Sequence, residues 1–485
     1  MASNDILPRL SMQPLPPGAE AIARIKAIVG DKGWSNDPAI LEMHINDERG
    51  LYFGKCALFV RPATADEVAA VVKVCHEGKI AIVPQGGNTS LVGAGVPHGH
   101  GGEVLLSLSR MNQIRDIDPL NYTVTVEAGC ILANLQNAAA SEDRLFPLSL
   151  GAEGSCQIGG NISTNAGGVN VLRYGNAREL VLGLEVVLPD GQIWDGLKRL
   201  RKDNTGYDLK QLFIGGEGTL GIITAAVCKL FPAPKDVQTA FVALRDLDAA
   251  IELLADARAA SGDRVTSFEL ICRTPLDFAV RHIEGVTYPI EGDYAEYALF
   301  EFSDARVGGG MQEALEKFLE SAFENGQVLD AVIAQSEAQR NDLWRIREGV
   351  VLAQAFEGAS IKHDISVPVS RIPEFIRRAN TAAEALIPGV RPVVFGHCGD
   401  GNLHYNYHQP QNATSESFVA RWSEVKKMVH DIVDDMNGSF SAEHGVGQLK
   451  KKDMIRYKSP LELDLMRRFK QAIDPDGIMN PGKIL

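Results

Sequence analysis

The chain has 485 residues, 45% hydrophobic and 23% charged; this ordinary globular usage excludes a disordered chain or a fibre, and the length allows two to four domains at roughly 150 residues each. Its 48 basic and 62 acidic side chains give a formal net charge of -14, which repels a phosphate backbone, so nucleic acid is not an expected partner. The 7 cysteines are scattered and form no C-x-x-C pair, which suggests neither a zinc ribbon nor a disulfide framework.

Met1 to Leu10 lacks a charged segment followed by an apolar one, and no run of about 18 apolar residues follows, so neither a secretion signal nor a membrane span is expected and the expected compartment is the cytoplasm. Residues 1–52 read as an N-terminal arm, Pro-rich from Pro14 to Pro17, with one helix from Ala19 to Val29. From Cys56 short β-branched runs alternate with Gly-rich turns around one helical pattern, Ala65 to Glu77, which predicts an α+β unit with a mixed sheet over 53–233. Pro232 and Pro234 mark the boundary. Over 234–485 the helical patterns Leu247 to Ala260, Met311 to Glu324, Glu337 to Phe356, Pro373 to Leu386 and Phe418 to Met436 interleave with strands such as Tyr297 to Phe302, predicting a second α+β unit. The basic run Lys198, Arg199, Arg201, Lys202 reads as a solvated loop.

Two glycine motifs are decoys. Gly216, Gly218 and Gly221 spell G-x-G-x-x-G with Asp236 beyond, but Ile222 to Phe231 is β-rich and leaves no room for the helix a dinucleotide fold requires. Gly477, Gly482 and Lys483 match most of a phosphate loop, yet Ile484 replaces the Ser or Thr. More informative are Pro84 to Gly95 and Gly159 to Gly168, dense in Gly, Asn, Ser and Thr. Such loops aim backbone N–H groups at an anion, as a pyrophosphate requires, although each alone also fits a tight turn with left-handed residues.

Seven blocks in consistent order, PQGGNTSLVGAG, IGGNISTNAGGVNVLRYG, LGLEVVLPDG, DNTGYDLKQLFIGGEGTLGIIT, HCGDGNLHYN, SAEHGVG and DPDGIMNPGKIL, resemble the FAD-linked 2-hydroxyacid dehydrogenases of the vanillyl-alcohol-oxidase flavoprotein superfamily from about Leu51 to Leu485. The resemblance implies a PCMH-type FAD-binding domain of two α/β subdomains, then an α+β cap whose C-terminal tail, from about residue 440, returns to the flavin. It places the cofactor on Pro84, Gly86, Gly87, Asn88, Thr89 and Gly93, on Gly160, Asn161, Thr164, Asn165, Gly167 and Gly168, on Gly218, Gly221 and Ile223, and on Asn480. Relatives that attach flavin covalently carry histidine where this chain has Asn88, and Cys156 reads as a packed residue, so non-covalent FAD is expected.

His397-Cys-Gly-Asp-Gly-Asn-Leu-His404-Tyr-Asn406 reads as strand, reversal and strand, a hairpin in which His397 and His404 can come opposite each other, with Asn406 on the face of His404. Two such histidines invite a divalent cation, and Glu443 is the candidate carboxylate ligand; each histidine alone also fits an ordinary backbone-bonded imidazole. With the resemblance, His397, His404 and Glu443 become an open metal site for zinc, with manganese or cobalt as alternatives. His444 is then the expected base and Asn406 a substrate-binding group, while Arg347 and Lys362 align with family residues that grip substrate carboxylates. Arg347 shares a helix face with Val351, and Lys362 points away from Ile361 and His363. Two positions depart from the family: Val351 stands where relatives carry a substrate-contacting threonine, and Gly216 where they carry serine. The implied reaction is FAD-dependent oxidation of a D-2-hydroxy acid, D-2-hydroxyglutarate to 2-oxoglutarate first, with D-lactate or glycolate as the alternative and a flavin-dependent lyase or synthase as a further one. An electron-transferring flavoprotein or a quinone is the implied acceptor, and a homodimer the default assembly.

Overall fold

The computed structural model describes residues 16–485; Met1 to Leu10 and the start of the Pro-rich segment lie outside them. The helix Ala65–Gly78 begins where the Thr64 side chain accepts the Glu67 N–H, and its Val68, Val71, Val72 and Cys75 fall on one buried face. It connects strand Leu58–Val60 to Ile82–Gln85, both parallel to Val104–Ser107 between them. A parallel pair needs such a crossover, whereas the strands that follow Arg110 in this half pair antiparallel. Instead of one mixed sheet there are therefore two. Trp34–Ser35, Leu58–Val60, Val104–Ser107 and Ile82–Gln85 form a four-stranded sheet, and Ile114–Asp118, Thr123–Glu127, Ile222–Lys229, Val181–Val187 and Ile193–Gly196 a five-stranded one.

The segment read as an arm is part of this body. Ile25 and Val29 of helix Ala19–Val29 join Val60, Val68 and Val72 in one apolar core, and Trp34–Ser35 adds an antiparallel edge strand. A second helix, Pro38–Ile45, is capped by Asp37 accepting from Ala39 N–H.

Beyond Pro234 an eight-stranded sheet runs in the order Val328–Ile333, Asp236–Leu244, Glu296–Asp304, Val265–Cys272, Arg391–His397, Asn402–His408 and Ser360–Ile361, with Asp364–Ser366 also paired to Asn402–His408. Helices Leu247–Ser261, Met311–Glu324, Ile372–Leu386 and Trp422–Asp435 bury Leu253, Leu315, Phe375 and Val429 in one core; Arg273–His282 and Glu337–Ala353 bury Leu276 and Ile346 in another. The helix expected to reach Phe356 ends at Ala353 and gives way to a 3₁₀ turn, Gln354–Phe356. That expected over Phe418 to Met436 is interrupted after Val419, where Arg421 donates to the Leu386 carbonyl at 2.7 Å. The C-terminal tail pairs with the first sheet: Ile82 N–H donates to Ile478 O and Asn480 N–H to Ile82 O, each at 2.8 Å. Among the described residues no helix is long and apolar enough to cross a membrane.

Candidate active site

The first glycine-rich segment leaves strand Ile82–Gln85 and turns at Asn88, whose φ of 57° is left-handed. The Asn88 amide donates to Met43 O at 3.0 Å and Asn46 O at 2.8 Å, so this side chain ties the loop to the C-terminal end of helix Pro38–Ile45. The second segment, expected as a loop, contains a short helix, Ile158–Ser163, seated so closely that a Cβ on Gly159 would lie 2.6 Å from Ala128 Cβ. At Gly87 a Cβ would meet Ser155 O at 2.1 Å, so only glycine lets the two segments approach. Between them lies a cavity of about 450 Å³ lined by Pro84, Gly86, Gly87, Asn88 and Thr89, by Gly160, Asn161, Thr164 and Gly167, and by Gly218, Gly221 and Ile223. A Cβ on Gly160 would meet nothing within 4 Å, and the buried acceptors Gln157 Oε1 and Asn161 Oδ1 have no partner among the described residues. Such a cleft, walled by glycines and carrying unused polar groups, fits a dinucleotide.

Four of the residues expected on the cofactor do not line this cavity. Gly93 packs against the Tyr52 ring at a φ of 68°, and Gly168 lines the neighbouring cavity. Asn165 Oδ1 accepts from Arg178 N–H at 2.9 Å. The Asn480 amide donates to Ala94 O at 3.0 Å and Glu217 O at 2.7 Å, bracing the loop from behind.

A second cavity of about 1030 Å³ adjoins the first, and Leu150, Val351, Leu352, Glu443 and His444 line both. Its floor is the hairpin Arg391–His397 and Asn402–His408. The reversal there includes a 3₁₀ turn, Cys398–Asp400, which shifts the register from the expected one: His404 pairs with Phe395, and His397 pairs across its other edge with Glu269. His397 and His404 still share a face, with ring centroids 5.4 Å apart. Glu443 reaches both, Oε1 lying 3.7 Å from His404 Nε2 and Oε2 4.0 Å from His397 Nε2.

Donor atoms of Asp364, His404, Glu443 and His444 all lie within 4.8 Å of one another, a group that leaves His397 outside. Asp364 was not singled out from sequence. It pairs with His404 in register, and its carboxylate accepts from His444 N–H at 3.0 Å and Lys450 Nζ at 3.3 Å, with His444 Nδ1 3.5 Å away. Glu269, also missed, is fully buried and accepts from Arg347 Nε and contacts His397 Nδ1, each at 2.6 Å. Arg347 is therefore a buried, ion-paired residue on the cavity wall, with Phe395 beneath its guanidinium. Lys362 opens into the same cavity, and Asn406 is held by Gln354 Oε1 and the His363 N–H.

Burial and charge divide these groups. Burial drives His444 down to about 4 despite the attraction of Asp364, and drives His404 well below the usual imidazole range with help from His397 and Arg347. Both imidazoles are neutral at pH 7, the form that binds a metal or accepts a proton. Burial raises Glu443 to about 7 against the pull of His397. For Asp364 burial is outweighed by His444, Lys450 and His404, which hold it well below the carboxylate range. The donor set, two or three histidines with carboxylates beside an open cavity, fits a divalent cation.

Comparison with known proteins carries this further. Residues 56–196 match the family described as FAD binding domain, and residues 233–484 match FAD linked oxidases, C-terminal domain. A p-cresol methylhydroxylase structure with substrate bound superposes with a TM-score of 0.72 at 18% identity, over 97% of this chain and 98% of that one. The frame is thus the α+β, PCMH-type flavoprotein fold, and the chain is an FAD-dependent oxidoreductase. Among curated proteins, the probable mitochondrial D-2-hydroxyglutarate dehydrogenase of Oryza sativa subsp. indica is 40% identical, over 96% of this chain and 82% of its own length. The mitochondrial D-2-hydroxyglutarate dehydrogenase of Danio rerio is 39% identical over 93% and 82%. The chain belongs to the D-2-hydroxyglutarate dehydrogenase family. The names of these relatives overturn the cytoplasmic expectation, which rested on an N-terminal stretch outside the described residues.

Proposed function

We propose that the protein oxidises D-2-hydroxyglutarate to 2-oxoglutarate, with FAD held non-covalently between the two glycine-rich segments and a divalent ion, zinc first, held by His404 and Glu443 with His397. The observation that carries this reading is the shared wall of the two cavities: Glu443 and His444 face the cofactor cleft and the histidine and carboxylate cluster at once. When bound, the flavin supplies the acceptor for two electrons and the C2 hydrogen, and the ion supplies the charge that brings the substrate hydroxyl's pKa towards neutrality. The chain's own groups do the rest. His444, neutral and oriented by Asp364, accepts the hydroxyl proton. Glu269 fixes the ring of His397 and the fork of Arg347, whose terminal nitrogens remain for a substrate carboxylate. Asn406 orients the acid by hydrogen bonding, and Lys362 supplies a further positive charge.

The test is anaerobic. Metal-replete, FAD-loaded protein is mixed with D-2-hydroxyglutarate, L-2-hydroxyglutarate or D-lactate, and flavin absorbance is followed near about 450 nm. Bleaching fastest with D-2-hydroxyglutarate and absent with the L-acid is the expected result. No bleaching by any of the three removes the proposed reaction, and faster bleaching by D-lactate reassigns the substrate.

A further inference from the structure

The cations around the larger cavity are not equivalent. Arg347 pairs through Nε with Glu269, Lys450 with Asp364, Lys426 with Asp453 and Arg340 with Glu337. Arg49 and Lys362 face the same space, and among the described residues neither has a carboxylate within ion-pair distance. Arg49 comes from the N-terminal segment, to which the sequence assigned no chemistry. It sits on a turn that is firmly built: Asn46 bridges to Phe53, and Asp47 Oδ1 accepts from Leu51 and Tyr52 N–H, each at 2.7 Å. The Asn88 amide clamps Asn46 O to the first glycine-rich segment at 2.8 Å, so the turn is fixed to the cofactor cleft. Burial lowers the pKa of Arg49 while Asp364 raises it, and Arg49 in turn helps lower Lys362 and His444. Its side chain lines the same cavity as Asp364 and His444.

Two cations without a carboxylate partner among the described residues, Arg49 half-buried and Lys362 exposed, line one cavity and suit an anion from solution. With the hydroxy acid end of the substrate at His404, Glu443 and His444, an anion at Arg49 and Lys362 is the far end of the same molecule. We propose that Arg49 is a specificity-determining residue that, together with Lys362, binds the second carboxylate of a dicarboxylic substrate and so favours diacids over monoacids. This rests on the hydroxy acid reading above, and the guanidinium's planar donors suit a carboxylate.

The FAD-loaded, metal-replete protein and its Arg49→Gln and Arg49→Lys variants test it in two ways. In turnover, Arg49→Gln should lower the ratio of kcat/KM for D-2-hydroxyglutarate over D-lactate by about 10-fold or more, chiefly through the diacid's KM, with Arg49→Lys recovering part of it. In calorimetric titration without turnover, the wild type should bind glutarate more tightly than butyrate, and Arg49→Gln should lose about 10-fold or more on glutarate alone. FAD content and melting temperature, measured on each variant, should match the wild type. An unchanged ratio together with unchanged glutarate binding overturns the assignment, as does an equal loss on diacid and monoacid, which would make Arg49 a structural residue. Should the wild type fail to oxidise D-2-hydroxyglutarate yet show Arg49-dependent glutarate binding, the proposed reaction falls and the dicarboxylate site stands.

Discussion

Replacing Glu269 by Gln probes the buried network beneath the site. Glu269 is fully buried in strand Val265–Cys272 and contacts Arg347 Nε and His397 Nδ1 at 2.6 Å each. Burial would raise its pKa, but His397 and Arg347 bring it down to about 2; burial would lower His397, but Glu269, helped by Glu443, lifts it from 6.5 to about 9. The interval between 6.5 and about 9 corresponds to about 3 kcal/mol, counted once because both shifts report one interaction. A raised folded-state pKa contributes in full below pH 6.5 and is lost as pH climbs through about 9, whereas the lowered Glu269 contributes above about 4.5 and is lost as pH falls through about 2. In EDTA-treated protein, Glu269→Gln should therefore melt about 3 °C below wild type near pH 6, at about 1 °C per kcal/mol for a chain of this length. That gap should narrow towards pH 9 or so, leaving a remainder from Arg347, then buried without its partner. Thermal melts across this pH range make the comparison. A gap that stays constant refutes the linkage between Glu269 and the protonation of His397.

Three further substitutions test the rest of the site. His404→Ala should leave FAD bound, remove the metal by elemental analysis and cut turnover by on the order of 10²-fold or more; activity surviving without metal contradicts the ligand assignment. Gly160→Val places a side chain where a Cβ meets nothing within 4 Å, inside the smaller cavity, and should weaken FAD binding by about 10-fold or more while the apoprotein melts normally; full flavin occupancy would move the cofactor elsewhere. Val351→Thr adds a hydroxyl on the wall common to both cavities and should raise the preference for D-2-hydroxyglutarate over D-lactate by about 3–10-fold, read as a ratio of kcat/KM.

What the sequence revealed is local. The glycine-rich segments, the hairpin histidines and the Glu443 and His444 pair are each contiguous motifs, and the structure brings them to one place. Asp364 and Glu269 were missed because strand register aligns them with His404 and His397, and register joins residues far apart in sequence. One signal was available: a lone glutamate in the apolar run Val265–Cys272 is costly to bury unless paired, so Glu269 implied an unseen cation. Lys450, in a run of three lysines, carried no such mark. The hairpin erred by one residue in its centre, which moves the partner by two and so preserves the face; this is why His397 and His404 meet although they are not paired.

The tail that pairs with Ile82 bears on how the chain is made. Ile82–Gln85 is the outermost strand of its sheet, and Ile478 to Asn480 cover it, about 400 residues downstream. An uncovered outer strand offers unpaired N–H and C=O groups to any neighbouring chain. At roughly 5–20 residues per second of synthesis, this strand waits roughly 20–80 s for its own cover, so the nascent N-terminal half is exposed to mispairing throughout translation of the rest. A C-terminal deletion that spares every residue of the two cavities should still yield insoluble protein, because it strips the sheet of the segment that closes it.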